Sequence, residues 1–166
     1  MTSSRLRRVL LDGGSGAGKT SLAMRLQEQW SQWSGEAVQL VSLDDCYPGW
    51  GGLAAGSRAV HQTILDPTRP GYRRWDWTAV RAGEWVALDP DRPLLVEGCG
   101  ALSRQSAPLA DLRLWLELPT DERKRRALRR DGDGYAPWWD MWAAQEAEHW
   151  RVNQPWELAD VVLRTP

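Results

Sequence analysis

Phenylalanine is missing from this chain of 166 residues, while tryptophan occurs twelve times. Most of these tryptophans are therefore expected to fill core positions that phenylalanine would otherwise take. A buried indole N–H needs a partner, so some of the twelve are expected at pocket walls. Cysteine is scarce. Cys46 and Cys99 are the only two and lack metal-ligand spacing, which predicts free thiols in a reduced, cytoplasmic protein. The two histidines, His61 and His149, stand alone and read as surface or packing residues rather than catalysts. Excess positive charge is absent too. A formal net charge of −1 argues against a general nucleic-acid binder, which would be basic. No apolar run approaches the roughly 20 residues of a spanning helix, and 26% of residues are charged, so no membrane partner is expected. Met1 to Arg8 is too short and too polar for a signal peptide. Without repeats, a linker or a low-complexity tract, residues 1–166 read as one domain. Its 42% hydrophobic content is enough for a sizeable core.

Apolar runs alternate with periodic ones. Strands are expected at Arg5–Leu11, Ala37–Leu43, Pro93–Glu97, Leu112–Leu118 and Ala159–Leu163. Helices are expected at Gly18–Ser34, Thr120–Arg130 and Trp138–Trp150, the second opened by Thr120 with Asp121 and Glu122 in its first turn. The glycine- and proline-rich segment 44–92 reads as mainly loops with a short helix at Trp77–Gly83. This alternation predicts an α/β protein with a mostly parallel five-stranded sheet and helices on both faces.

Between the first strand and the first helix lies Gly13-Gly14-Ser15-Gly16-Ala17-Gly18-Lys19-Thr20, which fits G-x-x-x-x-G-K-[ST] throughout and is followed by Ser21. Glycines let backbone N–H groups turn inward around a phosphate, and the helix N-terminus adds positive partial charge. Lys19 would reach the outer phosphates, and the Thr20 hydroxyl would ligate Mg²⁺. The expected ligand is a nucleoside triphosphate, the expected fold the three-layer P-loop fold. Such a loop identifies the donor and leaves the reaction open. No N-K-x-D segment for guanine is present, and the chain is too short for a motor with a helical lid domain.

Three further stretches narrow the reaction. Asp44 and Asp45 end the second strand, at the edge where such sheets bind ligands. One can orient an attacking hydroxyl or take its proton, and the other can hold a water on Mg²⁺. Glu97 ends a short apolar strand, the usual place for a carboxylate behind the metal. Residues 121–134 hold six basic side chains followed by Gly132 and Gly134. Arg123, Arg126 and Arg130 share one helical face, the arrangement of a lid, about 123–136, that closes arginines onto phosphates.

Together these stretches resemble the uridine kinase group of P-loop kinases, which includes nicotinamide riboside kinase, phosphoribulokinase and bacterial pantothenate kinase. "GGSGAGKT", "DDCY", "VEGCGAL", "DERKRRALRRD" and "ADVVL" each resemble a motif of that group. The resemblance implies ATP and Mg²⁺ as cofactors and phosphoryl transfer to a hydroxyl of a nucleoside-like or sugar-like molecule. It makes Asp44 the catalytic acid, puts Glu97 on the magnesium side, and gives phosphate-binding roles to Lys19, Arg126 and Arg130. Segment 44–92 would hold the acceptor, with Tyr47, Trp50, Arg74, Trp75 and Asp76 as candidates and Trp77 nearby. Arg73 and Arg74 could meet an anionic group. The patterns "YPGWGGL" and "GYRRWDW" depart from uridine kinase. Two other readings keep the phosphate loop: an ATP-binding regulatory module and a nucleoside triphosphate hydrolase.

Overall fold

The computed structural model describes residues 5–164. Five strands form the central sheet: β1 (Arg8–Gly13), β2 (Gln39–Ser42), β5 (Leu94–Glu97), β6 (Leu112–Glu117) and β7 (Val161–Arg164). Their order is β2-β5-β1-β6-β7, and every neighbouring pair is parallel. The strand period of two sorts the side chains between the faces. On one face Val9, Leu11, Leu95 and Leu114 pack with Ala23 and Trp30 of α1 (Lys19–Ser34). On the other, Leu10, Val41 and Val96 pack with Leu53 of α2 (Leu53–Ala59) and Trp142 of α4 (Trp139–Asn153). This is the expected α/β sheet with helices on both faces. Among the described residues no helix is long and apolar enough to cross a membrane.

Segment 44–92 corrects the expectation of loops. After a 3-10 turn at Leu43–Asp45 come α2, a turn of π-helix at Val60–Ile64, and an antiparallel hairpin of β3 (Gly71–Asp76) and β4 (Arg81–Ala87). The expected helix at Trp77–Gly83 is not formed. Asp76 Oδ1 accepts the amides of Thr78 and Ala79 at 3.0 and 2.9 Å, so the chain reverses in an Asx-turn. Gly83 lies within a strand, where a Cβ would come 3.3 Å from the Arg74 carbonyl oxygen. The tyrosine and tryptophans flanking the turn favour a pleated surface.

The other boundaries shift by a few residues. Arg5–Arg7 precede β1 rather than start it, β2 gives way to the 3-10 turn at Leu43, and α4 runs on to Asn153. Helix α3 (Thr120–Asp131) follows β6, and the short α5 (Pro155–Leu158) leads into β7. Cys46 and Cys99 are both buried and unbridged.

After β1 the chain winds toward β2, and after β5 it winds toward β6. Such a reversal opens a crevice at the carboxyl ends of the strands, where Gly13, Asp44 and Glu97 all lie.

Candidate active site

The glycine loop joins β1 to α1, and Gly18 with φ +96° caps the helix. Gly16 has φ +80°, and a Cβ there would collide with the backbone carbonyl of Arg123. One on Gly14 would strike the Arg123 guanidinium. The loop is thus pressed against α3, and only glycine fits. Three loop amides are taken up internally: Gly13 donates to Asp12 Oδ1 at 2.7 Å, Ser15 to Glu146 Oε1 at 3.0 Å, and Ala17 to the Gly14 carbonyl at 3.1 Å. The first-turn amides of α1 have no partner within the helix, a disposition that suits an anion.

Beneath the loop lies a buried ionic layer. Arg123, 5% exposed, donates to the carbonyls of Leu118 and Ser15 at 3.1 and 3.2 Å and to Thr120 Oγ1 at 3.0 Å. Its guanidinium lies 5.4 Å from the Trp150 ring centre and 3.5 Å from Glu146 Oε2. Glu146, 2% exposed, is held above the ordinary glutamate pKa by burial, against the Ser15 amide, Lys19 and Arg123. The peptide unit of Ser15 is therefore gripped at its amide by Glu146 and at its carbonyl by Arg123. The Ser15 hydroxyl is 2.7 Å from that of Tyr135. Asp12, at the end of β1, accepts the amides of Gly100 and Leu102 at 3.2 and 2.9 Å, fastening the loop after β5. His149 packs nearby, its Nε2 2.8 Å from the Leu102 carbonyl oxygen, a structural placement.

A cleft of about 270 Å³ opens above the glycine loop, lined by Ser15, Gly16 and Gly18–Ser21 on one side and by Asp44, Tyr47, Trp50, Trp77, Glu97, Arg130, Tyr135 and Trp142 elsewhere. Lys19 does not stand at its mouth. The side chain runs inward, and Nζ donates to the Gly14 carbonyl at 3.0 Å. Burial lowers the Lys19 pKa, but the Cys99 thiol and the carboxylates of Glu97, Glu146 and Asp12 outweigh it and leave it raised. Thr20 Oγ1 donates to Glu97 Oε1 at 3.0 Å. Glu97 is 2% exposed, and burial raises its pKa. Asp44 opens onto the cleft yet is crowded by protein. The crowding raises its carboxyl pKa despite the attraction of Lys19 and Arg130. Its backbone carbonyl accepts the Trp77 indole N–H at 2.8 Å, pinning the β3–β4 hairpin over the 3-10 turn.

The structure gathers Lys19, Thr20, Ser21, Asp44, Tyr47, Trp50, Glu97 and Arg130 around one space. Ser15, Gly16 and Gly18 of the loop also line it, and the remaining candidates do not. Arg123, expected on the lid, is part of the layer under the loop. Arg126 pairs with Glu122 at 3.1 Å away from the cleft. Asp45 is exposed and outside the lining, unlike the Thr20–Glu97 pair it was expected to join. Arg74 pairs with Glu84 at 3.1 Å, Trp75 is half-buried in β3, and the Asp76 carboxylate is committed to the Asx-turn. Trp77 reaches the cleft instead. Glu146, Tyr135 and Trp142 were missed. Glu146 had a signal: Trp139, Trp142, Glu146, His149 and Asn153 form one buried helical stripe, and an acid on such a face needs a partner.

Among the described residues no three His, Cys, Asp or Glu side chains form a metal cluster. The hard oxygens of Thr20 and Glu97 at the glycine loop nonetheless suit Mg²⁺, which is commonly held by one or two protein groups with phosphates and water.

The sequence matches no family model and no curated protein. Solved structures do match. A possible uridine kinase from Bacillus stearothermophilus superimposes with a TM-score of 0.66 at 18% identity, covering 97% of this chain and 90% of that one. Phosphoribulokinase from Rhodobacter spheroides gives 0.62 at 15% identity, covering 98% and 71%. A putative fructose transport system kinase from Silicibacter sp. TM1040 gives 0.58 at 19%, covering 98% and 92%. This chain has the P-loop kinase fold shared by proteins of the uridine kinase and phosphoribulokinase kind.

Proposed function

We propose that the protein transfers the γ-phosphoryl group of ATP to a hydroxyl of a small molecule. The observation that carries this reading is the meeting of Asp44 with Lys19, Thr20, Glu97 and Arg130 around one cleft. A module that only binds ATP has no use for a crowded carboxylate facing the phosphate end. Glu97 and Thr20 would hold Mg²⁺, which would neutralise phosphate charge when bound. Asp44 orients the acceptor hydroxyl and takes its proton. The hydroxyl oxygen bonds to the γ-phosphorus as the bond to the β–γ bridging oxygen breaks, and ADP leaves. Lys19 and Arg130 stabilise the charge on the transferring group.

The test is ADP release from ATP–Mg²⁺ with and without a panel of hydroxyl compounds. Acceptor-dependent release supports a kinase. Equal release without any acceptor identifies a hydrolase, and ATP binding without release identifies a binding module.

A further inference from the structure

We propose that a second pocket, against the far side of the glycine loop, binds a neutral six-membered ring carrying a lactam or carboxamide, and that this ligand tightens the loop's hold on ATP. The pocket has a volume of about 130 Å³ and shares no lining residue with the cleft. The site is argued from its own residues and does not depend on the reaction catalysed. Trp115, Trp150 and Trp156 wall it. The three indoles pack edge to face on one another, with ring centres 5.8, 5.8 and 6.4 Å apart. Such packing holds them rigid and leaves ring surface for a flat ligand. Trp156 is 38% exposed, so this wall is open to solvent. An apolar cavity of about 150 Å³ holds one benzene, so the space here suits a single ring.

Two polar groups give the ring its chemistry. Arg123 lines the pocket, and four of its five N–H groups are committed: Nε to the Leu118 carbonyl, Nη1 to the Ser15 carbonyl and Glu146, and Nη2 to Thr120. The remaining Nη2 N–H has no partner among the described residues, and Thr120 beside it is also part of the wall. Glu117 supplies the acceptor. Its Oε2 takes the Trp115 indole N–H at 2.6 Å, while Oε1 has no partner among the described residues. A ring carbonyl meets the Arg123 donor, and the adjacent N–H meets the Glu117 acceptor. A carboxylate ligand is repelled by Glu117 and an ammonium by Arg123, so the ring is neutral.

Arg123 joins this pocket to the cleft. Its Nη1 donates to the Ser15 carbonyl at 3.2 Å, and Ser15 lines the cleft. A carbonyl on Nη2 fixes the guanidinium beneath the loop, so less freedom is lost when ATP binds above it. Linkage makes the effect mutual.

Calorimetry of the whole chain with 2-pyridone, a neutral six-membered lactam, tests the site. One molecule is expected to bind with a dissociation constant at or below about 1 mM. The N-methylated ring, which cannot donate, should bind at least about tenfold more weakly. Trp156→Ala and Glu117→Gln should weaken 2-pyridone to a similar degree, with circular dichroism showing both variants folded. Trp50→Ala, in the wall of the cleft, should leave its affinity unchanged. Saturating 2-pyridone should tighten ATP–Mg²⁺ binding about fivefold. No saturable heat, equal binding of the methylated ring, or loss of binding in Trp50→Ala rather than in Trp156→Ala overturns the site. Unchanged ATP affinity with the ring bound overturns the coupling.

Discussion

Ser15 and Glu146 stand 131 residues apart in sequence, and the amide of the first donates to Oε1 of the second at 3.0 Å. The glycine loop is thereby tied to α4, and the Arg123 bond to the Ser15 carbonyl ties it to α3. Its shape is set from below, by the protein alone.

Glu146→Ala leaves Arg123 charged, buried and without its carboxylate. Breaking such a pair costs about 3–5 kcal/mol, or roughly 6–20 °C of thermal midpoint for a domain of this size. Glu146→Gln keeps an acceptor for the Ser15 amide, so ATP affinity should largely return while part of the stability loss remains. Thermal melts and ATP calorimetry on both variants check this. Equal ATP affinity in the alanine, glutamine and parent proteins would mean that Glu146 does not shape the loop.

Lys19→Ala should reduce phosphoryl transfer on the order of 10²–10³-fold, the usual loss on removing a donor aimed at developing charge. Circular dichroism should show the fold retained. Unchanged turnover and unchanged affinity for ATP–Mg²⁺ would remove the loop from the mechanism.

Asp44→Asn should retain ATP binding and lose about 10²–10⁴-fold in transfer, the contribution of a positioned base. The parent enzyme should also show an acid limb. A base works deprotonated, and crowding holds the Asp44 carboxyl above the ordinary 3.8, so transfer should fall as pH drops through that raised value. The limb should be absent from the residual activity of Asp44→Asn. A rate profile identical in parent and variant would assign the base elsewhere, with Asp45→Asn as the next substitution to measure.

Trp50 links the proposed lid to segment 44–92. Its ring lies nearly parallel to Trp138, 6° apart with centres 5.7 Å distant, and stacks on Tyr135 at 5.2 Å. Trp50→Ala should loosen residues 125–136, seen as faster hydrogen exchange that nucleotide and acceptor slow again. Arg130→Ala should slow transfer more than it weakens ATP binding, because an arginine on the transferring group acts mainly in the transition state. Exchange in the parent that is indifferent to ligand, together with parental turnover for Arg130→Ala, would leave residues 125–136 without a lid role.

Much of this arrangement was legible locally. The five sheet strands and the glycine loop announce themselves in short windows, because an apolar run and a glycine cluster need no distant partner to be recognised. The hairpin was not, since the tract from Gly71 to Ala87 mixes arginine, glycine and tryptophan without clean alternation. Its decisive feature is the side-chain turn made by Asp76. Arg123 was misread for a related reason. Its neighbours Lys124 and Arg125 are exposed, and charge density alone does not show that one of four consecutive cations turns under a loop over a hundred residues upstream. Glu146 was hidden by distance, its meaning fixed by Ser15 and Arg123 rather than by anything beside it in the chain.

The hairpin of β3 and β4 stands apart from the central sheet and forms its own two-stranded ribbon. Among its residues and its turn, Trp77 alone lines the cleft, and the same indole fastens the ribbon to the Asp44 carbonyl. The ribbon pairs with no strand of the central sheet, but Tyr72 is buried in the core on that sheet, so the ribbon can be lengthened or redecorated at its exposed positions while Tyr72 is kept. Under the proposed function, selection could retune which molecule is accepted there while the phosphoryl-transfer residues stay constant. A designer could graft a new ribbon that keeps Tyr72 between Pro70 and Leu88, whose backbone bond of 2.9 Å already closes its base.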